Sequence, residues 1–546
     1  MFPRIKKSGR YEYLQIVETR REGSRVVQRV IGTIGRMDRL QAKGEIEALV
    51  RSLARYSEKV LLVLSGRGEV TACSRTIGPA LVFGRLWEEL GIKNVIRGLA
   101  TERKFGFDVE RAIFLTVLHR LLISGSDRAC DKWHRDYVIE GVDGLCLHHL
   151  YRAMAFLGEV VADQRDATPF APRCTKDLIE EALFLERRDL FTGLDLVFFD
   201  TTSISFEGAG GETLGKKGHS KDRRPDLNQM VVGAVIDDHG KPVCCEMWPG
   251  NTTDVITLIP VIERIRNRFH IGRFCIVADR GMISAKTVRA LEDPERDIDY
   301  ILGARMRRVK EISHQVLSRP GRYREVRPEG ATSKDKEPLQ VKEVLVNDKR
   351  YIVCLNSKQA RKDAQDREAI ITALTERIKN DPKKLIGNKG YRKYLSIKGT
   401  RITIDQDKVE ADSRFDGKWV LTTNSALSAD EVALKYKELW QVEQVFRDIK
   451  SMLETRPVFH QRDETIRGHV FCSFLALVLK KELDRRLHTA GHSFEWADIK
   501  QDLAALQETT IEDEGKRLAI RSQCLGTGGK VFQAVGVAIP PTIREL

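Results

Sequence analysis

Leu194-Asp195-Leu196-Val197-Phe198-Phe199-Asp200 is an apolar run that stops on a carboxylate, and Phe274-Cys275-Ile276-Val277-Ala278-Asp279 repeats the pattern. Short apolar runs without polar alternation read as strands buried on both faces. A single Asp after such a run is ordinary, because Asp suits turns. Two of them, 79 residues apart, gain meaning if their strands are neighbours. Paired carboxylates repel unless a cation lies between them. Magnesium, which prefers hard oxygen ligands and leaves room for phosphate oxygens, fits that place.

The stretches between the two runs make them neighbours. Val231-Val232-Gly233-Ala234-Val235-Ile236 and Val243-Cys244-Cys245-Glu246-Met247-Trp248 read as strands, joined by the turn Asp237-Asp238-His239-Gly240. Helices are expected near Val255 to Arg266 and Ser284 to Leu291, and Tyr300-Ile301-Leu302 closes the series. Three antiparallel strands, helix, strand, helix, strand is the order of an RNase H-like α/β core. There the first and fourth strands lie side by side, so Asp200 and Asp279 would meet at one end of the sheet.

Residues 306–424 interrupt this core and read as a β-rich insertion, with strand-like Glu343-Val344-Leu345-Val346, Tyr351-Ile352-Val353-Cys354-Leu355 and Trp419-Val420-Leu421-Thr422. A charged helix is expected from Asp366 to Asn380. One further helix, Ala429 to Leu453, carries Tyr436, Trp440, Glu443, Arg447 and Lys450 along a single stripe at ~100° per residue. A core-facing stripe would present Leu and Val. This one suits an anionic, metal-bound ligand or, more simply, solvent.

Taken together, these stretches resemble the DDE transposases of bacterial insertion sequences, in the large insertion-sequence-four type superfamily with a β-rich insertion before the glutamate. The family signature is Tyr, two residues, Arg, three residues, Glu, six residues, Lys. Tyr436, Glu443 and Lys450 occupy three of its positions, and Leu439 stands where the family has Arg. Phe199-Asp200-Thr201-Thr202, Val277-Ala278-Asp279-Arg280-Gly281-Met282 and Pro249-Gly250-Asn251-Thr252-Thr253-Asp254 also match. The resemblance implies catalytic, metal-binding carboxylates at Asp200, Asp279 and Glu443. It implies two Mg2+ ions, with Mn2+ as a substitute, and DNA contacts from Tyr436 and Lys450. In relatives, a Trp of the insertion stacks on a flipped base; Trp419 matches that neighbourhood, and a core Trp on a buried strand is the competing reading. The partners implied are double-stranded DNA, both the element's terminal inverted repeats and its target, and a second copy of the chain in the DNA complex. An RNase H-like nuclease that cuts without joining, and an inactive DNA-binding relative, remain the alternatives.

The rest of the chain is compatible with a polyanionic partner. Lys plus Arg number 92 against 78 for Asp plus Glu, a formal charge of +14. Lys216, Lys217, Lys221, Arg223 and Arg224, with Arg305 and Arg307, flank the expected active end and are candidate phosphate contacts. The first 40 residues hold ten basic and four acidic side chains around a β-hairpin with its turn at Glu22-Gly23-Ser24. The expected layout is a basic hairpin region at 1–60, a helical DNA-end-binding domain at 61–190, and core halves at 191–305 and 425–485 around the insertion. A C-terminal region, 486–546, has dimerisation as its candidate role. The ten cysteines form no C-x-x-C pair and the twelve histidines are read as unclustered, so no zinc site is expected. No phosphate-binding G-x-x-x-x-G-K-[ST] loop occurs, which argues against ATP. The longest apolar run, Val470 to Leu479, is half of a membrane span. A cytoplasmic, nucleoid-associated bacterial protein is therefore expected.

Overall fold

The computed structural model describes residues 2–22, 25–42, 45–46, 49, 71–168, 171–187, 195–327, 338–380, 393–398, 401–453, 455–513 and 516–546. The Gly23-Ser24 turn, Leu194 and the expected boundaries near 60 and 190 lie outside the described residues. Contacts divide the chain into two units: Met1–Ser74 with Thr509–Arg521 and Pro541–Leu546, and Arg75–Glu508 with Ser522–Pro540.

The smaller unit contains the expected hairpin strands and one more. The sheet β1 (Phe2–Ser8), β2 (Tyr11–Glu22) and β3 (Arg25–Arg36) is antiparallel, with Phe2 opposite Val17 and Ser8 opposite Tyr11. Gly9 takes a positive φ of 61° in the tight β1–β2 connection, where a side chain would be strained. Strand β4 (Thr71–Thr76) joins a separate four-stranded sheet.

In the larger unit, helices at Gly78–Glu89, Ile92–Ala100, Val109–Leu122, Asp127–Trp133, Leu147–Gly158 and Thr175–Arg187 precede the main sheet. Its chain order is β5 (Leu196–Ser205), β6 (Gln229–Asp237), β7 (Pro242–Pro249), helix Asp254–Phe269, β8 (Cys275–Ala278), helix Ala285–Leu291 and β9 (Asp299–Gly303). β5, β6 and β7 are antiparallel, while β8 runs parallel to both β5 and β9. The strands of 306–424 do not form a separate module. β10 (Arg324–Val326), β11 (Leu339–Val346), β12 (Lys349–Leu355) and β15 (Lys418–Thr423) extend the same sheet beyond β9, in the order β10-β11-β12-β15-β9-β8-β5-β6-β7. The free edge of β9 supplies the unpaired backbone groups that accept β15. Strands β13 (Leu395–Lys398) and β14 (Arg401–Ile404) form a two-stranded ribbon beside the long helix Ser357–Asn380.

Both sheet faces are covered. Phe198 and Ile204 pack into a core shared with helix Asp463–Thr489, while Val197 and Phe199 pack on helix Asp254–Phe269. This two-sided burial explains why the first half of β5, Leu196 to Phe199, reads as continuous apolar sequence. Helix Thr175–Arg187, β7 and helix Asp254–Phe269 meet through a buried charge network. In it Arg268 contacts Glu180 at 2.6 Å, Glu181 at 2.8 Å, Glu246 at 3.1 Å and Asp177 at 3.2 Å. Among the described residues, no helix is long and apolar enough to cross a membrane.

Candidate active site

Strand register, more than strand endings, sets the first two carboxylates. β5 continues past Asp200 to Ser205, so Asp200 lies mid-strand where the sequence suggested an end. Its antiparallel partner β6 accompanies it to Ser205, which keeps the strand going. The parallel neighbour β8 stops at Ala278, opposite Phe199. The residue after each member of that pair is Asp, so Asp200 on β5 and Asp279 just past β8 lie side by side where β8 ends.

Each carboxylate is held from behind. Asp200 Oδ1 accepts from the Thr201 N–H at 2.7 Å. Asp279 caps the short turn Arg280–Met282, its Oδ2 facing the Gly281 N–H at 3.4 Å, and its Oδ1 accepts from the Tyr436 hydroxyl at 3.0 Å. Burial, reinforced by the adjacent Asp279, pushes the Tyr436 hydroxyl well above its ordinary range, so it remains a donor. The approach needs Gly303, where a Cβ would lie 2.2 Å from Tyr436 Oη. Arg305 braces the same turn by donating to the carbonyls of Arg280 and Gly281 at 3.0 and 2.9 Å.

A third carboxylate enters from the opposite side of β5. Asp254, the first residue of its helix, accepts from Thr201 Oγ1 at 2.7 Å. The Lys221 ammonium lies between the two sides, 3.3 Å from Asp254 Oδ2 and 3.9 Å from Asp200 Oδ1. It donates to Thr201 O at 2.5 Å and Thr201 Oγ1 at 2.9 Å.

Burial pushes the Asp200 carboxyl up to about 6, with Asp279 and Asp254 adding to the rise and Lys221 opposing it. The unfolded chain releases that proton near the ordinary Asp value of ~3.9. Between these values the native state binds more protons, so stability falls as pH rises through the window and the penalty is complete above it. We therefore expect Asp200→Asn to stabilise the metal-free protein at pH 7.5 by on the order of 2 kcal/mol, a gain that fades toward pH 4. Thermal unfolding of both proteins across that range checks it, and equal stability at pH 7.5 would contradict it.

Glu443 is placed differently. The helix expected over 429–453 is three segments: Ala429–Lys437, Trp440–Arg447 and a π-turn at Asp448–Met452. No Gly or Pro breaks it. The turn tightens, with the Leu439, Gln441 and Val442 N–H groups bonding three residues back, and Leu439 is buried there. The middle segment packs over β5 and β6 through Val442, Val445 and Phe446, on the sheet face that carries Asp200. Glu443 is exposed on its outer side and makes no hydrogen bond or ion pair among the described residues. Of the expected stripe only the middle faces outward: Trp440 (59% exposed), Glu443 and Arg447 are exposed, while Tyr436 turns in to Asp279. Lys450 closes it, bonded at 2.9 Å to Asp222, which Arg456 also meets at 2.6 Å. Burial lowers the Lys450 ammonium against that pairing.

A family model described as the transposase DDE domain matches residues 192–479. The chain belongs to this family. The match encloses all the carboxylates above, so this protein is a DNA transposase, an enzyme that cleaves DNA and transfers strands. A second model, the IS1634 family transposase N-terminal domain, matches residues 3–66 and marks an insertion-sequence transposase. Among solved structures, the chain is similar to a piggyBac transposase synaptic complex with hairpin DNA, at 11% identity and a TM-score of 0.38 over 78% of this chain and 79% of that one. No curated protein matches the chain.

Two residues of the transposase carry more than their sequence suggested. Asp254 was legible only within a matching stretch, since nothing local announces its contact with Thr201. Lys221 was read as a phosphate contact, yet its ammonium lies among carboxylates. The other basic residues are dispersed. Arg224 pairs with Asp226 at 2.8 Å and Lys216 Nζ donates to Glu212 O at 3.3 Å. Arg307 pairs with Asp412 and covers the Phe415 ring, whereas Lys217 and Arg223 are exposed. Trp419 is partly buried on β15 against the main core.

The histidines of the transposase do cluster, against expectation. His460 Nε2 lies 3.1 Å from His469 Nδ1 and 3.2 Å from Asp127. His469 Nε2 faces the Thr455 carbonyl at 3.1 Å and so carries the proton, leaving Nδ1 to accept from Arg120 at 2.8 Å. Arg120 also lies 3.6 Å from Asp127. The guanidinium already offsets the carboxylate there, and a dication would confront it. The cluster fastens helix Asp463–Thr489 to helices Val109–Leu122 and Asp127–Trp133.

Proposed function

We propose that the transposase cuts the ends of its insertion sequence and joins them to target DNA at one centre on an RNase H-like core. Asp200, Asp279 and Glu443 hold two magnesium ions there, with manganese as a substitute. The carrying observation is the parallel register of Phe199 with Ala278, which sets Asp200 beside Asp279. The donor set is all carboxylate oxygen, the chemistry Mg2+ favours. The half-buried carboxylates of Asp200 and Asp254 also already attract a cation, the Lys221 ammonium. When bound, such a metal pair activates a water or a DNA 3′-hydroxyl and stabilises the leaving oxygen.

The chain's own groups orient that chemistry. Tyr436 fixes the Asp279 carboxylate and Arg305 fixes the turn behind it. The outward stripe of Trp440, Glu443 and Arg447 is the face turned to DNA, and Glu443 joins the aspartates once DNA and metal are bound. Lys216, Lys217, Arg223, Arg224, Arg307 and Lys450 are assigned to phosphates, which set affinity more than sequence choice. Trp419 is assigned to a base at the cut end. Because two ends must be joined, the working complex is a homodimer on the terminal inverted repeats.

The test is an assay with labelled DNA carrying the sequences that flank the gene, a target plasmid and Mg2+. Cut ends joined to the plasmid are expected from the wild type, and neither product from Glu443→Gln. Cutting without joining would identify a nuclease. Full activity of Glu443→Gln would move the third carboxylate to Asp254.

A further inference from the structure

The Lys221 ammonium is where a metal ligand set would least tolerate a competitor. It lies 3.3 Å from Asp254 Oδ2 and 3.9 Å from Asp200 Oδ1, and two further donations fix it to Thr201 O and Oγ1. Thr201 Oγ1 in turn donates to Asp254 at 2.7 Å, so that Thr201, Asp254 and Lys221 close a ring behind Asp200. We propose that Lys221 is the resident counter-ion of the catalytic carboxylates, holding the place that the first metal ion takes, and that Asp254 is a fourth carboxylate of that metal site. The proposal rests on the metal-binding reading of Asp200 and Asp279 above.

Three observations support this assignment over a simple salt bridge. The Lys221 backbone is tied down, because its N–H donates to Ser203 Oγ at 3.0 Å and the adjacent Asp222 is held by Lys450 and Arg456. Any retreat therefore falls to the flexible side chain, a four-carbon stem bearing a compact charge. The Lys221 side chain is 32% exposed, which leaves it a path to solvent. Finally, Asp254 and Asp279 approach Gly281 from two sides, each with an oxygen 3.8 Å from where a Cβ would stand. The carboxylates thus converge from β5, the end of β8 and the helix at Asp254, with the Lys221 ammonium among them.

A cation that displaces Lys221 must overcome its attraction to two carboxylates, so Lys221 weakens metal binding in the DNA-free protein. Mn2+ affinity of the full chain, followed by electron paramagnetic resonance without DNA, reads this directly. We expect Lys221→Met to bind Mn2+ at least about tenfold more tightly than wild type, since attraction between unit charges at this spacing is strong inside a protein. Lys221→Arg, which keeps the charge, stays near wild type. Lys358→Met, at an exposed lysine of the helix Ser357–Asn380, shifts affinity by less than about twofold. The double variant Lys221→Met/Asp254→Asn separates the two parts of the proposal. Binding weaker than in Lys221→Met alone makes Asp254 a ligand, and equal binding reduces it to a holder of Lys221. Unchanged or weaker affinity in a Lys221→Met protein with native thermal unfolding overturns the counter-ion assignment. Asp279→Asn serves as the reference. If it binds Mn2+ as wild type does, the metal site itself is misplaced, a failure distinct from that of Lys221.

Discussion

Asp279→Asn is expected to leave the transposase bound to DNA and unable to cut or join it. The substitution keeps shape and the hydrogen bond from Tyr436, and removes one of the negative charges that meet at the end of β8. Positioning and charge stabilisation do most of the work in phosphoryl transfer, so we expect cleavage and strand transfer to fall by at least about a thousandfold. DNA affinity, assigned above to phosphate contacts elsewhere, should change little and keep its salt dependence. Gel-shift titrations beside a strand-transfer assay measure both. Full cleavage by Asp279→Asn would remove the site from this end of the sheet.

The second large effect is on stability. Arg268 is fully buried and touches four carboxylates, from Asp177, Glu180, Glu181 and Glu246. Around it, Arg264 pairs with Glu246 at 2.9 Å and Asp177 at 3.2 Å, and Lys176 with Asp177 at 2.7 Å. Removing one member of a buried ionic network leaves its partners desolvated and uncompensated, a cost of about 3–5 kcal/mol. Arg268→Met should lower stability by that amount and, because the network seats the helix that begins at Asp254, loosen the site as well. Arg165→Met, which breaks an exposed pair with Asp163, should change nothing measurable. Calorimetry on the two variants makes the comparison, and equal melting behaviour would refute the network's role.

Much of the fold was legible because its determinants are local. β5 and β8 announce themselves as apolar runs, since a strand covered on both faces has no polar side to alternate. The order of strands and helices then made the two aspartates neighbours. The helix around Glu443 was legible as a helix but not as a broken one, because the tightened turn at Leu439 carries no Gly or Pro to announce it. The strands of 306–424 were equally visible one by one. Nothing in them stated that β15 would dock on β9 and continue the sheet.

The sequence by itself determined the apolar runs that lead into Asp200 and Asp279 and the basic character of the chain, and it made Tyr436, Glu443 and Lys450 legible as a resemblance. Hydrophobic period and residue spacing carry that information along the chain. Only the tertiary structure decided that Asp254 would meet Thr201, that Lys221 would enter the carboxylates, that Glu443 would face outward, and that His460 and His469 would close on Asp127. Each is a contact between segments far apart in sequence, set by strand register and by which helix covers which sheet face. Those choices follow from the packing of the whole core, and no local pattern encodes them.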